Sequence, residues 1–431
     1  MTTQLFEENP HDRGTRRALT LALTAMSLLI MLRLLGIRIG PAWLLVHRYD
    51  VLLPAILILA AWRLLAAQSA YLSRKAATKW ILGITWAVTF LFFWPHIDSD
   101  GDYYYGYLRS ILWDRDFNLS NEAAWYATGW MKGLENALNT TTGYIFSAHT
   151  IGPTLFWLPF VLVSHAVATV LAHLGYPILT DGYDLVYRFG VSFGTWTFVL
   201  ATFLICIRIL ETWFCRAAAL VAVLGMYLAS PLLCYGFHSG SFSHGLSCFA
   251  TSLGLLMWVK NRDRFTLLGA IGIGFPLGVA CMIRPQNVLW LLLPLLDYFL
   301  SLNRKSNLRE AGLWLAAFGG SAGIGFAPQL TLWYIERLSF LSAPQGPGFV
   351  DAGRWNQLQV LFHPFHGLFL WHPLHFVAFI GLIGFAMKYR RLGWLFILGF
   401  ALQVWINGAA EDWWAGGAFG LRRFGSSLPV F

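Results

Sequence analysis

Charged side chains are scarce. Asp, Glu, Lys and Arg make up only 12% of the 431 residues while 57% are apolar, whereas a water-soluble domain carries about 25% charged residues. A chain with half the usual polar coat is neither a soluble enzyme nor a disordered scaffold. Acidic groups are the scarcer sign, 21 against 30 basic ones for a formal charge of +9. In so apolar a chain this excess points to the cytoplasmic loops of a multi-pass membrane protein, where Lys and Arg accumulate, and away from nucleic acid. Cysteine is sparse too. Cys206, Cys215, Cys234, Cys248 and Cys281 show no CxxC spacing and lie in or beside apolar stretches; they read as small core residues, not as ligands or bridges. Internal repeats, low-complexity runs and a soluble domain are missing as well. The first apolar run has no A-x-A site after it, so it reads as an anchor and not as a cleavable signal.

What is abundant is apolar sequence in runs that approach the 20 or so residues needed to span hydrocarbon. They fall at 17–36, 51–67, 80–95, 188–207, 215–234, 243–259, 266–283, 288–302, 310–334, 368–387 and 392–408. The expectation is an all-α polytopic membrane protein of about 11 transmembrane helices. Residues 1–79 form an N-terminal helix hairpin, and 80–431 form the main transmembrane domain. Every second connection is basic: Arg13/Arg16/Arg17, Arg74/Lys75/Lys79, Arg208/Arg216, Lys260/Arg262/Arg264, Arg304/Lys305/Arg309 and Lys388/Arg390/Arg391. These set the N-terminus and the basic turns in the cytoplasm. The apolar stretch 151–173 breaks that alternation if it crosses, so it is expected to lie on or dip into the outer interface and return. The closing LPVF reads as the start of a further helix, so the natural protein is expected to extend past it.

The outer face then collects the unusual polar residues: a long loop 96–187, then 235–242, 284–287, 335–367 and 409–431. Asp98, Asp100 and Asp102 sit within five residues at the start of the loop, followed by Tyr103–Tyr105, with Asp114, Asp116 and Glu122 beyond. Crowded carboxylates raise one another's pKa, which suits a bound cation or acid–base work. An EF-hand does not fit, because its glycine belongs at the sixth position and a Glu at the twelfth; here the glycine is fourth and the twelfth residue is Arg109. A solvated acidic turn is the plainer alternative.

This stretch resembles the first extracytoplasmic loop of the GT-C superfamily of membrane glycosyltransferases, in the bacterial branch related to protein mannosyltransferases and lipid A aminoarabinose transferases. The resemblance covers SDGDYYYGYLRSILWDRDFNLSNE, HTIGPTLFWLPF, HSGSFSH at 238–244, MIRPQN at 282–287, FHGLFLWHP at 365–373 and EDWWAGGAFGLRRF at 411–424. It implies a catalytic outer loop 96–187 carrying interfacial helices, a polyprenyl-phosphate-linked sugar donor, inversion at the anomeric carbon and no cofactor. It also implies a loop aspartate as general base, Asp100 before Asp102, with Glu122 as a second acidic residue. A glycan, lipid or protein would supply the acceptor hydroxyl, and the bacterial inner (plasma) membrane would be the location, with the active face extracytoplasmic.

The leaving phosphate needs cations, preferably the planar fork of arginine. Arg284, Arg422 and Arg423 are the candidates, since basic residues on the outer face run against the orientation rule. Asp98, Asp116, His238, His244 and Trp413 are candidate substrate contacts. A divalent ion at Asp98/Asp100/Asp102 is conceivable and not favoured. The run His363, His366, His372 and His375 spaces like a metal site, but Pro364 and Pro373 interrupt the helix and no acid lies among them. Trp94, Trp113, Trp125, Trp130, Trp371 and Trp414 read chiefly as an aromatic belt. A lipid or glycolipid transporter, or a polymerase or assembly protein for lipid-linked glycans, are the competing classes. A transporter should carry charges and broken helices at mid-membrane, often in two related halves.

Overall fold

A computed structural model of the chain describes residues 93–125, 141–145, 147–302, 307–342, 345–346 and 348–431, with Gly83, Thr85, Thr89 and Phe90 before them. The hairpin 1–79, the spans expected at 17–36 and 51–67, most of 80–95, and Trp130 lie outside the described residues, as do the basic groups before residue 80 and Arg304/Lys305. The chain divides into two compact units, Met1–Phe93 and Trp94–Phe431. All that follows concerns the second.

The described residues are helical, with one isolated antiparallel bridge between Val350 and Ala410. In chain order the helices are α1 (Asp100–Arg109), α2 (Ser120–Trp125), α3 (Gly152–His173), α4 (Leu185–Leu210), α5 (Arg216–Leu228), α6 (His244–Asn261), α7 (Leu267–Ile283), α8 (Val288–Ser301), α9 (Leu308–Arg337), α10 (Gln357–Phe362), α11 (Leu368–Trp371), α12 (Pro373–Lys388) and α13 (Arg390–Gly408). Every span expected after residue 187 falls on one or two of them. Among the described residues two helices, α3 and α4, are long and apolar enough to cross a membrane. A third crossing arises if α5 and Pro231–His238, bent by 74°, count as one span, and α7 and α12 are shorter apolar helices. Large apolar side chains lie exposed on many faces, among them Val163, Leu268, Ile324 and Val377, as a surface in contact with lipid requires.

The 151–173 stretch is one unbroken 22-residue helix, longer and more regular than an interfacial dip requires. It pairs antiparallel with α4. The Trp157 indole N–H donates to Thr195 Oγ1 at 2.8 Å, and His165 Nδ1 lies 2.9 Å from the Tyr187 hydroxyl. The connection after it folds back on α1 and the π-turn that follows. Carbonyls of Thr180, Asp181 and Gly182 accept hydrogen bonds from Trp113, Arg109 and Tyr105. Residues 180–182 therefore pack against the acidic loop.

Small residues set the closest helix contact. A Cβ on Gly278 of α7 would stand 2.1 Å from the Ala322 carbonyl oxygen of α9, and Gly325 meets the Phe275 carbonyl in the same way. Such stripes let backbones approach where no hydrophobic effect drives association. Beyond this seam Trp258, Trp290 and Trp314 fill a core with Leu277, Leu293 and Phe396. At the end of the bundle remote from residue 244, Asp297 of α8 is fully buried. It accepts from the Trp258 indole at 2.9 Å, from Arg262 at 3.1 and 3.2 Å, and from Arg391 at 2.6 Å. The basic turns 260–264 and 388–391 thus meet at one end.

Candidate active-site cavity

The opposite end holds a cavity of about 530 Å³. Its acidic wall comes from α1. Ser99, at φ 57°, turns the chain into the helix, and Gly101 is pressed against Ser241, where a Cβ would stand 2.4 Å from Oγ. Acids in the first turn suit the positive end of the helix dipole. Successive helix residues turn by about 100°, so Asp100 and Tyr104 share a face and both line the cavity. Asp102 looks nearly the other way.

The cationic wall comes from two distant segments. Pro285 disfavours helical backbone at the residue before it, so α7 stops at Ile283 and Arg284 is extended, at φ −148° and ψ 114°. Its guanidinium donates to Ser243 Oγ at 3.1 Å and to Gln286 Oε1 at 3.4 Å, while Nε is buried with no protein partner. Burial, aided by Arg423 and Arg422, lowers its pKa to about 10, which leaves it cationic at neutral pH. The other two arginines follow a turn with left-handed backbone at Ala415, Gly416 and Gly420. Any Cβ on Gly420 would collide with His372. A 3₁₀ segment, Arg422–Val430, then carries Arg422 to Asp100, Nη1 to Oδ2 at 3.2 Å. Arg423 binds Asp412, Nη2 to Oδ1 at 2.5 Å.

Burial alone would raise the Asp100 pKa. Arg422, His149 and Arg284 outweigh it and hold the carboxyl below its ordinary value. His149, whose ring meets Tyr103 and Tyr104 at 4.8 and 5.1 Å, is lowered by burial, with Arg422 and Arg284 countering the pull of Asp100. Three guanidiniums thus face two carboxylates in one cavity, an excess of positive charge suited to a phosphate.

Four of the expected site residues line this cavity: Asp100, Arg284, Arg422 and Arg423. The others lie elsewhere. Asp98 is half exposed, 3.7 Å from His96. Asp102 is buried and its pKa rises to about 7 through burial and Asp98, with Arg188 opposing. The three clustered aspartates therefore have different surroundings and do not form one chelating loop. Asp116 accepts from Ser110 Oγ at 2.6 Å and from the Asn118 amide, closing a turn. Glu122 is fully buried against Arg109, 2.7 Å away, and burial raises its pKa to about 7. It braces the loop at a distance from Asp100. His244 is buried against Tyr235 and Phe242, its Nε2 without a protein partner, and its backbone adjoins Gly425 of the segment that carries Arg422. His238 ends a π-turn, and Trp413 packs on His363 and Trp414; neither lines the cavity. His366 and His372 bond the carbonyls of Trp414 and Ala229, so the histidine run ties loops together. Among the described residues no group of three His, Cys, Asp or Glu is arranged to hold a metal ion.

His149, Gln286, Asn407 and Asp412 line the cavity unforeseen. His149 and Gln286 fall inside motifs already noted, HTIGPT and MIRPQN, as polar residues at the mouths of apolar helices. Pro285 and Val288 also border a second, almost wholly apolar trough of about 640 Å³, walled by Gly278, Ala322, Gly323, Phe326 and Trp333. The polar cavity thus opens beside a greasy one. Comparison with protein-family models, curated proteins and solved structures finds no match to this chain.

Proposed function

We propose that the chain is an integral-membrane glycosyltransferase of the GT-C type. It would transfer a hexose or pentose, with inversion, from a polyprenyl-phosphate donor to the hydroxyl of a glycan, lipid or protein acceptor. The observation that carries this reading is the pairing of Asp100 with Arg422 in a cavity that also holds Arg284 and Arg423. The arginines suit the donor phosphate and its growing charge as the glycosidic bond breaks. Asp100 suits the proton of the attacking hydroxyl, a contribution of about 10²–10⁴-fold. The adjoining trough suits an isoprenoid chain. In this reading about 11 helices span the inner membrane, α3 returns to the acidic side, the N-terminus is cytoplasmic and the cavity faces outward.

The cavity lies at helix ends, on the first turn of α1 and just past the last turn of α7, which favours an enzyme over a carrier with a mid-membrane site. The test is turnover by purified protein in lipid of a panel of polyprenyl-phosphate sugars, with and without EDTA. Release of polyprenyl phosphate by the wild type, reduced about 10²–10⁴-fold in Asp100→Asn, is expected. Equal release by Asp100→Asn would overturn the mechanism.

A further inference from the structure

Arg422 has one nearby carboxylate and a reason to leave it. Its Nη1 lies 3.2 Å from Asp100 Oδ2, and its guanidinium rests 5.1 Å over the face of Phe242. The side chain is mostly buried, yet it borders an open cavity. Arg284 stands across the same space with a buried Nε that no protein atom satisfies, and Arg423 is neutralised by Asp412. Asp100 thus occupies, for Arg422, the place an incoming oxyanion would take.

We infer that a phosphate group entering the cavity displaces Asp100 from Arg422, so that anion binding and release of the Asp100 carboxylate are one event. A phosphate monoester or diester offers the guanidinium a bidentate partner, and a monoester brings a second negative charge that the carboxylate lacks. The phosphate is shared with Arg284, whose orphaned Nε gains an acceptor. Once freed from Arg422, Asp100 is a stronger base. It is therefore restrained while the cavity is empty and released when the donor arrives. The displacement is a statement about binding. Only its use, to deprotonate an acceptor, rests on the glycosyltransferase reading.

The experiment is a double-mutant cycle on affinity with the full chain in nanodiscs. Calorimetric titration with inorganic phosphate and with geranylgeranyl phosphate would be applied to wild type, Asp100→Asn, Arg422→Gln and the double variant. Asp100→Asn should bind more tightly, by about 3–10-fold for removal of a mostly buried competitor. Arg422→Gln should bind more weakly, and in its background Asp100→Asn should bring no gain. No gain in Asp100→Asn, or the same gain with and without Arg422 (a bulk charge effect through Arg284 and Arg423), would overturn the exchange. Thermal melting of each variant and Arg422→Lys, which keeps the charge but loses the fork, separate misfolding from lost recognition. Tighter absolute binding of the lipid probe identifies a lipid headgroup as the source, and equal binding identifies free phosphate; the coupling supports the exchange in either case. Coupling without sugar turnover would sink the transferase reading and keep the exchange, and turnover without coupling would do the reverse.

Discussion

Asp100 and Asp102 are two residues apart and meet opposite electrostatic fates. The first faces Arg422 and Arg284 and keeps its charge; the second is buried beside Asp98, with Arg188 opposing, and tends to hold its proton. A carboxyl whose folded pKa rises from 3.8 to about 7 favours the folded state most in acid, and that contribution is lost as pH rises through about 7. Asp102→Asn should therefore flatten the fall in melting temperature between about pH 5 and 7, read by scanning calorimetry in detergent; an unchanged slope would mean that Asp102 titrates normally. Arg109 carries the complementary risk. It binds Glu122 and Asp114 and lies 4.6 Å over the Tyr183 ring. Arg109→Ala strands a fully buried Glu122, and a loss of about 3–5 kcal/mol is expected, seen in denaturant titrations. Arg284, Arg422 and Asp100 were legible in the sequence because charge in apolar surroundings is costly and seldom idle. Direction was not legible. Nothing in DSDGD says which carboxyl meets a cation 322 positions along, and Glu122 and Asp116 drew attention by their charge although their partners are local.

At the scale of elements, the α7–α9 seam is the tightest fit in the fold. Gly278→Ala puts a methyl against the Ala322 backbone, which cannot yield as a side-chain tip can, and a loss of about 1–3 kcal/mol is expected. Gly319→Ala, in α9, meets open space and should be neutral or slightly stabilising. A shared loss in both variants, followed by thermal melting, would remove the seam from the account. Helix positions were readable from apolar runs after residue 187, since length and hydropathy suffice for that. The bend between Leu228 and Pro231 and the continuous α3 were not, because both depend on what packs alongside.

For the molecule as a whole, polarity is segregated by end. One end gathers Asp297 with Arg262 and Arg391, the other Asp100 with Arg422. Single cysteines at residues 181 and 264, in a chain with its native cysteines replaced, should react with membrane-impermeant reagents from opposite sides of sealed vesicles. Labelling from one side alone would undo the proposed orientation. Asp297→Ala should cost about 3–5 kcal/mol in the same denaturant assay without removing either arginine.

The Asp100–Arg422 pair also bears on how the chain is made. Asp100 is inserted early, and its partner follows only after α3 to α13 have been synthesised. Closing so long a loop is slow. Throughout that interval Asp100 waits for the charge of Arg422, and the cavity is the last part of the bundle to acquire its final electrostatic balance. A nascent chain halted before residue 422 would carry the acid without its restraint.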